Sequence, residues 1–103
     1  MKNLNIIRHK KLNIPWIKHG FSTRLNGESN NPWQGLNCGY NVGDYKNTVD
    51  KNRNKVLAKL NMFNTIQLNQ VHGNKVVIAE KIRDVSDKVN ADGIICSTNN
   101  ISL

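Results

Sequence analysis

Only one segment of this chain sustains a helical period, and the strand-like segments around it are short, so the fold must mix both kinds of element. Val49, Val56, Leu57 and Leu60 share one face at helical spacing, and Arg53 interrupts the stripe with a stem long enough to lie along apolar surface. Asn47 or Thr48 stands where a cap is needed, so a helix is predicted from about Thr48 to Leu60, covering one face of a sheet. Upstream, Trp16 to Arg24 mixes Ile17, Phe21 and Thr23 with polar neighbours and runs into Asn26-Gly27, which predicts a strand and then a tight turn with positive φ. Glu28 to Asp44 is rich in Asn and Gly, contains Pro32 and has no period, so it reads as an irregular loop. Beyond the helix, strands are expected over Thr65 to Val71 and Lys75 to Glu80, joined through His72-Gly73-Asn74, with another over Gly93 to Ser97. This order is not a strict βαβ alternation and favours an α+β fold.

With 103 residues, 38% hydrophobic and 21% charged, the chain has the composition of a small globular domain and not of a disordered tail. No linker or repeat divides it, so residues 1–103 are read as one piece of one domain. No apolar run approaches the about 20 residues of a membrane span, and Met1 to Leu12 lacks the apolar stretch of a signal peptide, so the expected address is cytoplasmic, with no membrane role. Cys38 and Cys96 stand at no metal or redox spacing and are expected to be free thiols. A net charge of +8 invites a nucleic-acid reading. The cations are dispersed from Lys2 to Lys88, however, and the few aromatics are too scattered to form a stacking platform.

The string Leu68-Asn69-Gln70-Val71-His72-Gly73 puts one possible metal ligand on a tight turn. Catalytic zinc usually takes three protein ligands and keeps one position open, so His72 needs partners. His9, His19, Cys38 and Cys96 pair at no recognisable ligand spacing, and taken alone His72 reads as a satisfied turn histidine. Gly35, Gly39 and Gly43 recur every four residues, which is neither a Rossmann nor a P-loop fingerprint.

Several strings taken together say more. His19-Gly20-Phe21-Ser22-Thr23-Arg24, Gly35-Leu36-Asn37-Cys38-Gly39, Val42-Gly43-Asp44, Asn52-Arg53, Leu68 to Gly73 and Ala91-Asp92-Gly93 follow one another in the order and at about the spacing of a known family. From about His19 onward the chain resembles the laccase-domain purine nucleoside phosphorylases, which also carry the older label of multicopper polyphenol oxidase. The resemblance implies a metal site built from a His in Gln-Val-His, a Cys in a later Ala-Asp-Cys and a His in a still later His-Ala-Gly-Trp. His72 alone matches. The implied metal is zinc; the copper label fits poorly, because a multicopper centre needs many His ligands and this chain has three.

Arg24 is the local candidate for an anion contact, since a guanidinium grips two phosphate oxygens through its planar fork. Outside its motif it would read as a surface arginine beside a carboxylate. Asn37 and Gln70 could supply amide hydrogen bonds to a base or ribose, with loop-stabilising contacts as the plainer reading, and Ser22 is a further substrate contact. Asp44 could serve as an acceptor, with capping the helix or closing a turn just before it as the plainer reading. Arg24 and His72 are the candidate catalytic residues, and His72 is also the candidate metal ligand.

By resemblance the activity is phosphorolysis of adenosine, inosine and methylthioadenosine with phosphate, together with adenosine deamination. The implied core is layered and sandwich-like, similar to the cytotoxic necrotizing factor deamidase and incomplete at the C-terminus. Asn100 to Leu103 reads as the start of a strand that leads in the family to Ala-Asp-Cys. The chain is therefore expected to be an N-terminal portion, from a split or decayed gene or from a longer protein cut short on expression, inactive by itself and completed by a separately encoded C-terminal half. The alternative is a non-catalytic basic module that binds a protein partner or nucleic acid.

Overall fold

The computed structural model describes residues 3–82 and 88–103, and these hold one α-helix and six short strands in an α+β arrangement. They fall into two compact units, Met1–Met62 and Phe63–Leu103. Among the described residues, no helix is long and apolar enough to cross a membrane.

In the first unit β1 (Ile6–Ile7) runs antiparallel to β2 (Phe21–Ser22), with Ile6 opposite Ser22 and Ile7 opposite Phe21. A 3-10 turn over Lys10–Leu12 separates them. The strand expected from Trp16 is thus cut to two residues. The chain bends ahead of it, with Ile17 N donating to Ile14 O at 3.1 Å. The turn that follows is as expected: Asn26 has φ 68, and its side-chain amide donates to Asn3 O at 2.8 Å. Residues 28–44 are irregular apart from one bridge between Ser29 and Gly35.

The helix α1 runs Lys46–Leu60 and so begins two residues before the expected start. Asn47 and Thr48 lie inside its first turn, and the N-cap is Tyr45, whose side chain makes no capping bond. Asp44 closes the preceding turn, its Oδ1 accepting from Tyr45 N at 2.8 Å. The other end is a Schellman closure: Asn61 adopts φ 52, its N–H reaches Ala58 O, and Met62 N reaches Leu57 O at 2.9 Å. Lys18 Nζ donates to Asn61 O at 2.9 Å, placing a cation at the negative end of the helix.

Val49, Asn52 and Leu60 form the buried side of α1, while Val56 and Leu57 are half-buried. That face was expected to cover a sheet. Its central partner is instead the 28–38 loop, because Asn52 occupies a position on the apolar stripe and turns that part of the face polar. Near its end α1 approaches β1, where Leu60 methyls and Ile6 fill the space beside Gly20.

In the second unit β3 (Leu68–Asn69) pairs in parallel with β5 (Val89–Asn90), and β4 (Val76–Ile78) in parallel with β6 (Gly93–Ile95). The expected strands are present but shorter. Thr65 contributes only an isolated parallel bridge to Ser102, and Glu80 lies in a 3-10 turn, Ala79–Lys81. Each strand flanking His72 takes its partner from beyond residue 88, so the His72 junction is no hairpin tip but the crossing between two parallel pairs. Ile66, Ala79 and Ala91 are the buried apolar residues here; Leu4, Leu36, Val49 and Leu60 are their counterparts in the first unit.

Candidate functional site

His72 sits on a left-handed turn, φ 59, between β3 and β4. Such a conformation is disfavoured for a residue with a Cβ and persists when surrounding contacts determine it. The Asp92 carboxylate supplies those contacts. Its Oδ1 accepts from Val71 N at 3.0 Å and His72 N at 2.7 Å, and its Oδ2 accepts from Gly73 N at 2.7 Å. Successive amides aimed at one anion form a nest. The amide of Gly73 foremost, with those of His72 and Val71, holds the Asp92 carboxyl below its ordinary range against partial desolvation. Asp92 is anchored in turn, since its own N–H and that of Gly93 both donate to Lys75 O, at 3.0 and 3.2 Å. Gln70, two residues before His72, is exposed.

In the first unit Arg24 is exposed and, among the described residues, no carboxylate pairs with it. Its backbone is fixed where its side chain is not: Leu36 N donates to Arg24 O at 2.9 Å. That contact needs Gly27, because a methyl there would overlap the Gly35 carbonyl and Leu36 Cα. Asn52 ties the same loop to α1, accepting from Glu28 N at 2.7 Å and donating to Ser29 Oγ at 2.9 Å and Asn37 O at 2.8 Å. Ser29 Oγ in turn donates to Asp44 Oδ2 at 2.6 Å. The Asn37 side chain is engaged within the loop, donating to Asp44 Oδ2 at 3.1 Å and to Gly39 O at 3.2 Å, and accepting from Gly39 N at 3.0 Å. Hydrogen bonds from Ser29, first, and from Asn37 lower the Asp44 carboxyl. Ser22 is exposed at the end of β2, opposite Ile6. Ser22, Arg24 and Asn37 thus belong to one unit, and Gln70 and His72 to the other.

Residues 18–103 match the model of the family described as multi-copper polyphenol oxidoreductase laccase. The chain belongs to this family. Among similar family proteins, a purine nucleoside phosphorylase of Corynebacterium glutamicum is 27% identical over 84 residues, covering 80% of this chain and 34% of the relative. One of Mycobacterium tuberculosis is 29% identical over 89 residues, 84% of this chain and 35% of the relative. The purine nucleoside phosphorylase YfiH of Escherichia coli is 35% identical over 83 residues, 74% of this chain and 34% of the relative. The chain therefore spans about a third of the length of these relatives. No solved structure matches it significantly.

The donor set of this laccase-domain chain bears on the implied zinc. Among the described residues, no group of three His, Cys, Asp or Glu side chains could hold a metal ion. Asp92, the carboxylate next to His72, has both oxygens engaged by backbone amides. Cys38 is a free, half-buried thiol raised by that burial, and Cys96 is also free. The described residues alone do not fit a catalytic zinc shell, which needs three protein ligands, and no chemical step is routed through one here.

Three residues that organise these loops escaped the functional reading of the sequence. Asp92 and Asn52 were visible only as letters of family strings, and their partners lie about 20 residues away in sequence. Glu80 carried no motif at all. Its Oε1 accepts from Ser97 N at 2.5 Å and Thr98 N at 2.9 Å and from both hydroxyls, closing the end of β6 onto the 3-10 turn.

Proposed function

We propose that this chain is the His72- and Arg24-bearing part of a purine nucleoside phosphorylase, acting on adenosine, inosine and methylthioadenosine with phosphate, and on adenosine as a deaminase. The observation that carries the reading is the His72 turn, a family motif whose strained backbone is held by a carboxylate from a second family motif. The names of the relatives support the reaction class. Arg24, exposed on a braced backbone, suits the phosphate, whose oxygens a guanidinium binds in a fork. In phosphorolysis a phosphate oxygen bonds to the ribose anomeric carbon as the glycosidic bond breaks, and the base leaves with that bond's electron pair. Gln70 and Ser22 offer exposed polar groups for base or ribose, whereas Asn37 reaches substrate only by exchanging its bonds to Gly39 and Asp44.

In this reading His72 is one zinc ligand, and the remaining ligands come from family sequence outside these 103 residues, supplied by a C-terminal half. The chain is then the first part of a single domain whose completed core is layered like that of the cytotoxic necrotizing factor deamidase. A cytoplasmic setting belongs to the same reading, and the free thiols of Cys38 and Cys96 support it.

The test is reconstitution. The 103-residue protein alone should turn over no inosine or adenosine, and joining it to the C-terminal part of a relative, in trans or by fusion, should restore zinc binding and phosphate-dependent turnover. His72→Ala in the joined protein should abolish both, while Arg24→Ala should raise the KM for phosphate and leave zinc stoichiometry unchanged. Full zinc stoichiometry and phosphorolysis in the His72→Ala protein would overturn the assignment.

A further inference from the structure

We infer that Asp92 is a positioning residue for His72, fixing through three backbone amides the direction in which the imidazole leaves its turn; the inference rests on the reading of His72 as a functional ligand. The two peptide planes that flank the His72 Cα carry the His72 and Gly73 N–H groups, and both are held by this one carboxylate at 2.7 Å. Holding both planes fixes φ and ψ at His72, and with them the Cα–Cβ direction. Among the described residues no hydrogen bond restrains the His72 imidazole itself, so its backbone is the control that remains.

The clamp has a rigid origin. Asp92 and Gly93 both donate to Lys75 O, immediately before the parallel register in which Val76 faces Gly93. The carboxylate is therefore referenced to the β4–β6 pair, and a site built on a sheet is held more accurately than one built on a loop. A turn serving only to connect β3 and β4 could place a glycine in the left-handed position at no steric cost. Here a histidine occupies that position and the glycine follows it.

The test is made by NMR on the metal-free 103-residue protein, comparing the wild type with Asp92→Asn and Asp92→Ala. The three-bond couplings across the His72 N–Cα bond report φ, and the shifts of β4, β6 and α1 report the fold. The wild type should show one left-handed φ. Asn keeps one oxygen for the amides of Val71 and His72 but turns its NH2 toward Gly73 N–H, so the His72 couplings should be partly averaged. In Asp92→Ala the His72 couplings should average away from the left-handed φ while the β4, β6 and α1 shifts stay in place. A lower melting temperature with His72 couplings unchanged in either variant marks a merely structural aspartate and overturns the inference. Should the variants fail to fold, hydrogen exchange of the wild type decides: protected His72 and Gly73 amides on this exposed turn support the clamp, and free exchange overturns it. Because no metal is added, the result is independent of zinc binding, which the reconstitution tests separately.

Discussion

Asn52 is the residue on which the first unit most depends. It is fully buried, and its single amide group satisfies a loop N–H, a serine hydroxyl and a loop carbonyl. Replacing it with Leu would take this partner from the Glu28 N–H and the Asn37 carbonyl and leave Ser29 only its bond to Asp44, so Asn52→Leu should lower stability by about 2–4 kcal/mol in urea unfolding. A loss below about 0.5 kcal/mol would show that the loop finds other partners. Glu80 gives a pH-dependent counterpart in the second unit. Hydrogen bonds, that from Ser97 N foremost, lower its carboxyl from 4.5 to about 2. A depressed folded-state pKa stabilises above the unfolded value, and that stability is lost as pH falls through the folded one. Unfolding followed between pH 4.5 and about 2 should therefore show a loss of stability that Glu80→Gln, which keeps an acceptor oxygen but cannot titrate, reduces. An identical pH profile for the two proteins would remove Glu80 from that role.

The elements owe their limits to backbone geometry more than to side-chain caps. Helix α1 begins without a side-chain cap and ends on a left-handed Asn61. Asn tolerates that conformation through its short polar side chain, Gly accepts it freely, and Ala pays the Cβ clash. Asn61→Ala should cost about 1 kcal/mol and Asn61→Gly should be near neutral in thermal melts followed by circular dichroism. Equal melting temperatures for the two variants would exclude the Schellman closure as a determinant of the helix end. The close approach of Gly27 to Gly35 and Leu36 sets a second limit, because backbone cannot move aside as a long side chain can. Gly27→Ala should cost about 3 kcal/mol, at the upper end of overpacking penalties, and should weaken the Leu36-to-Arg24 bond that braces the candidate phosphate contact.

Across the whole molecule, apolar surface and charge oppose one another. Trp16, Phe21, Phe63, Ile7 and Tyr45 are all at least 60% exposed, while the net charge is +8. Exposed apolar groups favour association, and like charge resists it until salt screens the repulsion. The 103-residue protein should therefore sediment as a monomer at low ionic strength and self-associate as salt is raised. A monomer at every salt concentration would mean that its apolar surface is too dispersed to associate.

The sequence by itself determined the helix, the irregular loop, the tight turn at Asn26 and the family, because each is a local signal: a repeated period, a run of turn formers, or strings in a fixed order. It also put His72 on a turn, since Gly73 and Asn74 follow it. Strand extents were not legible. β1 and β5 are two residues each, too short to show a period, and every strand of the second unit is set by a parallel partner elsewhere in the chain. Asn52 was one letter of a family string, and only the folded loop over it supplies the groups that make its burial favourable. Asp92 was likewise one letter of a motif until the pairing of β4 with β6 brought it under the amides of His72 and its neighbours. Tertiary structure decided these features because each hydrogen-bond partner is distant in sequence, and no local propensity encodes a distant partner.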